Sequence, residues 1–131
     1  ATHTTFGVPG YIQDAANFAL NQGNAVEIEV AAPFKRRRDI AMDLIARQTV
    51  VRAVPCSGAM YIMLDIRATG LSSDIFAHAL LESKQIAVMP GESFGKSALG
   101  HVRVAMTVCD AQFIKAIEAL LAFAAEHKNA M

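Results

Sequence analysis

The residues from Ile86 to Val108, IAVMPGESFGKSALGHVRVAMTV, hold the arrangement of greatest chemical interest: a single arginine, Arg103, in a strand-like run behind a turn rich in glycine. From His101 the side chains alternate with a period of two. Val102, Val104, Met106 and Val108 share one face, and His101, Arg103, Ala105 and Thr107 share the other. A face of valine and methionine is what a core requires, so Arg103 turns outward, to solvent or into a cleft with an anionic partner. Its small neighbours Gly100 and Ala105 leave room beside a planar fork of five donors, which suits a carboxylate gripped by two parallel hydrogen bonds. A strand arginine on a solvated face has the same spacing, and the pattern alone leaves both uses open.

Other chemistries find less support. His3, His78, His101 and His127 are far apart in the chain, and neither Cys56 nor Cys109 has a histidine or cysteine close by, so metal-site spacing is absent. Cys56 follows Pro55 at a glycine turn without an activating histidine, which reads as a buried, inert thiol. Ser57 and Ser93 lack the context of a nucleophile elbow, and Gly91, Gly95 and Gly100 lack the spacing and the Lys-Ser/Thr end of a phosphate loop. The run Lys35-Arg36-Arg37-Arg38 has no interleaved aromatics and reads as the solvated face of a helix.

The elements that must position Arg103 follow from periodicity. Tyr11 to Leu20 reads as a short helix with Ile12, Ala16 and Leu20 on its apolar stripe, closed at Gln22-Gly23-Asn24. Glu27 to Gln48 reads as a longer helix, either starting near Ala31 or kinked at Pro33, with Phe34, Ile40, Ala41, Met42, Leu44 and Ile45 on its buried side. Val50 to Val54 and Ala59 to Ile66 read as strands, the second apolar enough to be central. Within it Tyr61 reads as sheet packing with its hydroxyl at the edge, a ligand-facing phenol being the alternative, and Asp65 sits where it can meet solvent. Ser72 or Ser73 caps the next helix, lined on one side by Ile75, Phe76, Ala79, Leu80 and Ser83, with His78 on the surface. Asp110 is the expected N-cap of the last helix, whose apolar face is Phe113, Ile114, Ile117, Leu120, Leu121 and Ala124. Residues 1–10 read as irregular and the terminal HKNAM as a fraying end. The order helix, strand, strand, helix, strand, strand, helix predicts a two-layer α+β domain with helices packed on a mixed β-sheet.

With 131 residues, 53% of them hydrophobic and 18% charged, the chain has material for one modest core and is neither disordered nor low in complexity. A formal net charge of zero offers no long-range attraction to nucleic acid or to an anionic membrane, and no apolar run reaches spanning length. Two cysteines without signal-peptide grammar fit a cytoplasmic, reducing setting.

Several motifs together resemble a known family. PGESFG followed by GHVRVAMT is similar to the C-terminal signature of the class I/II (fold-type-I) pyridoxal-phosphate-dependent aminotransferases; FKRRRDIAMDLI and PCSGAMYIMLDI extend the resemblance upstream. Its nearest subgroup is the arginine–pyruvate transaminase type, with aspartate aminotransferase-like enzymes behind it. The resemblance implies the aminotransferase small C-terminal domain for residues 25–131, and a remnant of the large domain for residues 1–24. It implies that Arg103 binds the substrate α-carboxylate, with Phe94 packing beside that cleft and Gly91 and Gly95 letting the backbone approach closely. Substrates would be an amino acid and a 2-oxo acid, the full-length enzyme a homodimer, and its cofactor pyridoxal 5′-phosphate. Lys35, Lys84, Lys96, Lys115 and Lys128 all sit in contexts unlike the family's cofactor lysine, so the chain is expected to be a C-terminal fragment, without a catalytic residue or bound cofactor of its own. The alternative is a non-catalytic α+β module that binds a small carboxylate or mediates self-association.

Overall fold

The computed structural model describes residues 7–128. His3, the first six residues of the irregular N-terminal stretch and the last three of the C-terminal tail lie outside that range. The chain resolves into two compact units, Ala1–Pro33 and Phe34–Met131.

In the first unit, helix α1 spans Gly10–Asn21, and Gly23 at φ 71° turns the chain into helix α2, Asn24–Ala46. None of the residues of α1 is buried: Tyr11 is 72% exposed, Phe18 68% and Leu20 73%. A short helix without tertiary burial is marginal in water. Its amides are therefore expected to exchange with solvent far faster than those of the C-terminal helix, measured residue by residue by hydrogen exchange; equal protection in both would contradict this.

Pro33 neither starts nor ends α2 but lies inside it. The carbonyl of Glu29 forfeits its helical partner there, and the exposure of this part of the helix leaves that oxygen open to water.

The second unit contains a sheet of four strands in the order β1-β2-β4-β3, where β1 is Arg52–Ala53, β2 Tyr61–Asp65, β3 Met89–Pro90 and β4 His101–Ala105. Helix α3, Ser73–Lys84, connects β2 to β3, and helix α4, Asp110–Glu126, follows β4. The two-layer α+β arrangement is as the sequence predicts, but the sheet is antiparallel in every pairing rather than mixed. β2 and β3 run in the same direction, the usual result of a helical crossover, yet β4 lies between them and pairs with both. β1 and β3 are shorter than the apolar runs around them. Both are edge strands; β3 ends in Pro90, which cannot donate to a ladder and limits pairing there.

One face of the sheet is the core. Ile62, Leu64, Val102 and Val104 point into a cluster with Ala41 and Ile45 of α2, Phe76 and Leu80 of α3, and Phe113, Ile117, Leu120, Phe123 and Ala124 of α4. Phe76 and Phe123 meet edge to face, ring centroids 5.1 Å apart. Ala77 rather than Ile75 is buried on α3, Ile75 being 56% exposed, and Phe123 joins the buried face of α4. The inward alternation from Val102 holds through Met106 and stops at Val108, 42% exposed, because β4 ends at Ala105. Ser72, not Ser73, caps α3, its hydroxyl accepting from the Ile75 amide.

Two polar devices tie the helices to the sheet. The Gln48 amide donates to the carbonyls of Ile45 and Val51 and accepts from the amides of Val50 and Val51, which joins the end of α2 to the approach to β1. The basic run on α2 is solvated in part, with Lys35 and Arg36 exposed as expected, but Arg37 is not. Arg36 and Arg37 grip opposite oxygens of Asp110, Nε to Oδ2 at 2.6 Å and Nε to Oδ1 at 2.7 Å, and Arg37 Nη1 also donates to the Met106 carbonyl at 2.8 Å. The Arg37 side chain is only 13% exposed. Asp110 is correspondingly the first residue of α4, not its N-cap, which is Cys109. Its carboxyl is held below the usual carboxylate range by the hydrogen bonds from Arg36 and Arg37.

Candidate functional site: the Arg103 face

On the face of the sheet away from the core, Tyr61, Met63 and Asp65 of β2 lie beside His101, Arg103 and Ala105 of β4, with Arg103 directly opposite both Met63 and Met89. The inferred outward turn of Arg103 is present. Among the described residues no carboxylate lies within 4.0 Å of its guanidinium, in contrast to the paired Arg36, Arg37, Arg38 and Arg67. Its neighbours are aromatic: the guanidinium carbon is 4.1 Å from the centroid of the Tyr61 ring and 4.4 Å from that of Phe94. Such contacts steady a cation without satisfying its N–H donors, which stay free for an anion.

Arg103 lines an open pocket of about 320 Å³ together with Tyr61, Met63 and the loop Val54–Gly58. Tyr61 is half-buried, stands on this face of the sheet and lines the pocket. Cys56 is half-buried at the pocket wall rather than sealed in the core, its one S–H within reach of two acceptors, the carbonyls of Gly58 at 3.0 Å and Tyr61 at 3.3 Å.

The second ring at Arg103, Phe94, belongs to the turn Gly91–Gly100. It consists of short 3-10 segments, Gly91–Phe94 and Lys96–Ala98, separated by Gly95 at φ 107°. Gly91 is buried, and a Cβ there would fall against the Ala98 carbonyl oxygen and 2.6 Å from that of His101. Glycine is required here because the turn packs backbone against backbone. Gly95 serves differently: space around it is open, and its requirement for glycine is the positive φ that re-aims the chain after Phe94. Phe94, 43% exposed, is the turn residue that reaches Arg103.

At the far end of the same face Asp65 holds Arg67 in a two-point grip, Nε to Oδ1 at 2.9 Å and Nη2 to Oδ2 at 2.6 Å, and also accepts from the Arg67 amide. Asp65 is thus engaged rather than free in solvent. The hydrogen bond from Arg67 is the main cause of a carboxyl lowered from 3.8 to about 2. Because the folded value lies below the unfolded one, this group stabilises the fold fully above about pH 4 and loses that contribution as the pH falls through about 2. Asp65→Asn is expected to flatten the dependence of the urea midpoint on pH across that window; an unchanged slope would show the pair to be inconsequential.

The sequence reading missed the juxtaposition of Tyr61 with Arg103. The only signal for it was parity, since Tyr61 alternates with the buried Ile62; the pairing register of two strands some forty residues apart was not in the pattern. It also missed the loop Val54–Gly58 as a pocket wall.

The profile of the family described as aminotransferase class I and II matches residues 1–120. The chain is 39% identical over 104 residues to the arginine–pyruvate transaminase AruH of Pseudomonas aeruginosa, covering 79% of this chain and 26% of that protein. It is 30% identical over 113 residues to an aspartate aminotransferase of Pyrococcus horikoshii, covering 84% and 29% of the two. Among solved structures, an aminotransferase from Staphylococcus aureus superposes with a TM-score of 0.81 at 31% identity, covering 97% of this chain and 33% of that one. An aromatic aminotransferase from Pyrococcus horikoshii superposes with a TM-score of 0.77 at 30% identity over 88% and 31%. The chain spans between a quarter and a third of the length of these proteins.

Proposed function

Since this chain belongs to the aminotransferases of class I and II, we propose that it is the segment of such an enzyme that binds the substrate α-carboxylate, with Arg103 as the gripping residue. The observation that carries this is a half-buried arginine at a pocket wall, steadied by two aromatic rings and not engaged by any carboxylate of the described residues. A charge so placed, with its donors free, is suited to a planar anion that two parallel hydrogen bonds can hold. The substrates are an amino acid and a 2-oxo acid, both of which present that carboxylate. Fixing it restricts rotation of the rest of the substrate, so the reacting carbon is held in one orientation toward the partner groups of the enzyme. The full-length enzyme is proposed to be a cytoplasmic homodimer.

The family implies pyridoxal phosphate. The residues here do not fit as its holder: no lysine lines the Arg103 pocket, Lys35, Lys96, Lys115 and Lys128 are exposed, and Lys84 pairs with Glu126 at 3.5 Å. The contribution proposed for this chain is to substrate binding. Mixed with pyridoxal phosphate, the 131-residue chain is expected to give no stable Schiff-base absorbance and no transamination. Saturable cofactor binding that disappears when one lysine is blocked would contradict the assignment.

A further inference from the structure

Tyr61 and Phe94 reach Arg103 from different directions. β4 lies between β2 and β3; Tyr61 stands on β2, whereas Phe94 belongs to the turn that leaves β3. Both ring centroids come within 4.4 Å of the guanidinium carbon. All five guanidinium N–H groups point outward in its own plane, and its two faces carry none. Aromatic rings stacked on those two faces would leave only the edge available, and each ring would turn its negative π-surface toward the cation and toward anything beside it.

We propose that Tyr61 and Phe94 form an aromatic clamp that makes Arg103 a receptor open at its edge only, and that Tyr61 is thereby a positioning and specificity residue that favours planar carboxylates over tetrahedral anions. A carboxylate lies wholly in the guanidinium plane. A sulfonate or phosphonate that places two oxygens on the same N–H pair must put at least one more out of that plane, against a π-surface that repels it. Tyr61 is the fixed jaw, since it stands in a paired strand opposite Ala105, whereas Phe94 is carried on a turn and is 43% exposed. The inference rests on Arg103 being the carboxylate-binding residue of an aminotransferase.

The test is inhibition of the full-length enzyme that carries this segment by three probes of similar size: propionate, ethanesulfonate and ethylphosphonate. Propionate is expected to bind the parent enzyme at least about tenfold more tightly than either tetrahedral anion, and Tyr61→Leu to reduce that preference below about threefold, the range expected when a desolvated cation–π contact is removed. Tyr61→Leu should raise KM for amino acid donors more than it lowers kcat, because a swivelling guanidinium still carries its charge. Tyr61→Phe retains the ring and should retain the preference, and Phe94→Leu, on an exposed turn with little effect on folding, should weaken it as Tyr61→Leu does. Preferences in both leucine variants equal to the parent's, or a loss in Tyr61→Phe as large as in Tyr61→Leu, would overturn the clamp. Arg103→Leu separates the two levels of the argument. If it abolishes propionate inhibition while both leucine variants keep the parent preference, only the clamp falls; if it leaves propionate inhibition intact, the reading of Arg103 falls with it.

Discussion

Replacing Arg103 with leucine in the full-length enzyme is expected to lower kcat/KM for every amino acid donor by roughly thirty- to several-thousand-fold, from the loss of about 2–5 kcal/mol of a charge-assisted pair with the substrate carboxylate. The fold should survive, because Arg103 lies on the face opposite Ile62, Leu64, Val102 and Val104 and contributes nothing to the core they build. Lysine at this position should restore only part of the activity, since a point charge on a flexible stem cannot reproduce two parallel hydrogen bonds from a rigid fork. Steady-state kinetics with donors that share the α-carboxylate but differ in side chain measures this directly. A loss confined to one class of side chain would assign Arg103 to side-chain reading, and a loss below about threefold for all donors would remove it from the site.

Gly91→Ala is expected to destabilise the chain by about 3 kcal/mol, at the upper end of what overpacking a closed site costs. The atoms that the new methyl group would meet are backbone: the carbonyl oxygen of Ala98, then that of His101 at 2.6 Å and the carbonyl carbon of Ala98 at 3.0 Å. None of these can rotate aside as a side-chain tip could, so the turn must open. Because the turn carries Phe94 at one end and leads into β4 at the other, the opening also loosens the surroundings of Arg103. Gly95→Ala is the contrasting case. Nothing lies within 4 Å of its added carbon, and its cost is backbone strain at φ 107°, about 1–3 kcal/mol. Urea denaturation of the two variants separates steric from conformational cost. A Gly91→Ala chain within about 0.5 kcal/mol of the parent would mean that the turn is far looser than its packing implies.

Much of the local structure follows from the order of residues alone. The alternation from His101 assigned Val102 and Val104 to the core and Arg103 to the opposite face, because a strand has a strict period of two and valine cannot profitably face water. The glycines around Phe94 marked a turn for the same local reason, since positive φ and a buried backbone contact both exclude a side chain. Family membership was legible too, because motifs such as PGESFG and GHVRVAMT lie in linear order.

What the tertiary structure decided are the contacts whose partners lie far apart in the chain. The sheet became wholly antiparallel because β4 inserted between two strands that a helix joins, a choice of neighbour that no local pattern records. Arg37 left the solvated face, and Arg36 gained a partner on it, because Asp110, more than seventy residues away, starts α4 within reach of both. Tyr61 became a partner of Arg103 through a strand register that only the completed sheet sets. Within the paired strands β2 and β4 the sequence by itself determined which way the side chains face, since that depends on neighbours along the backbone; what each one meets there depends on long-range pairing, which packing of the whole domain alone selects.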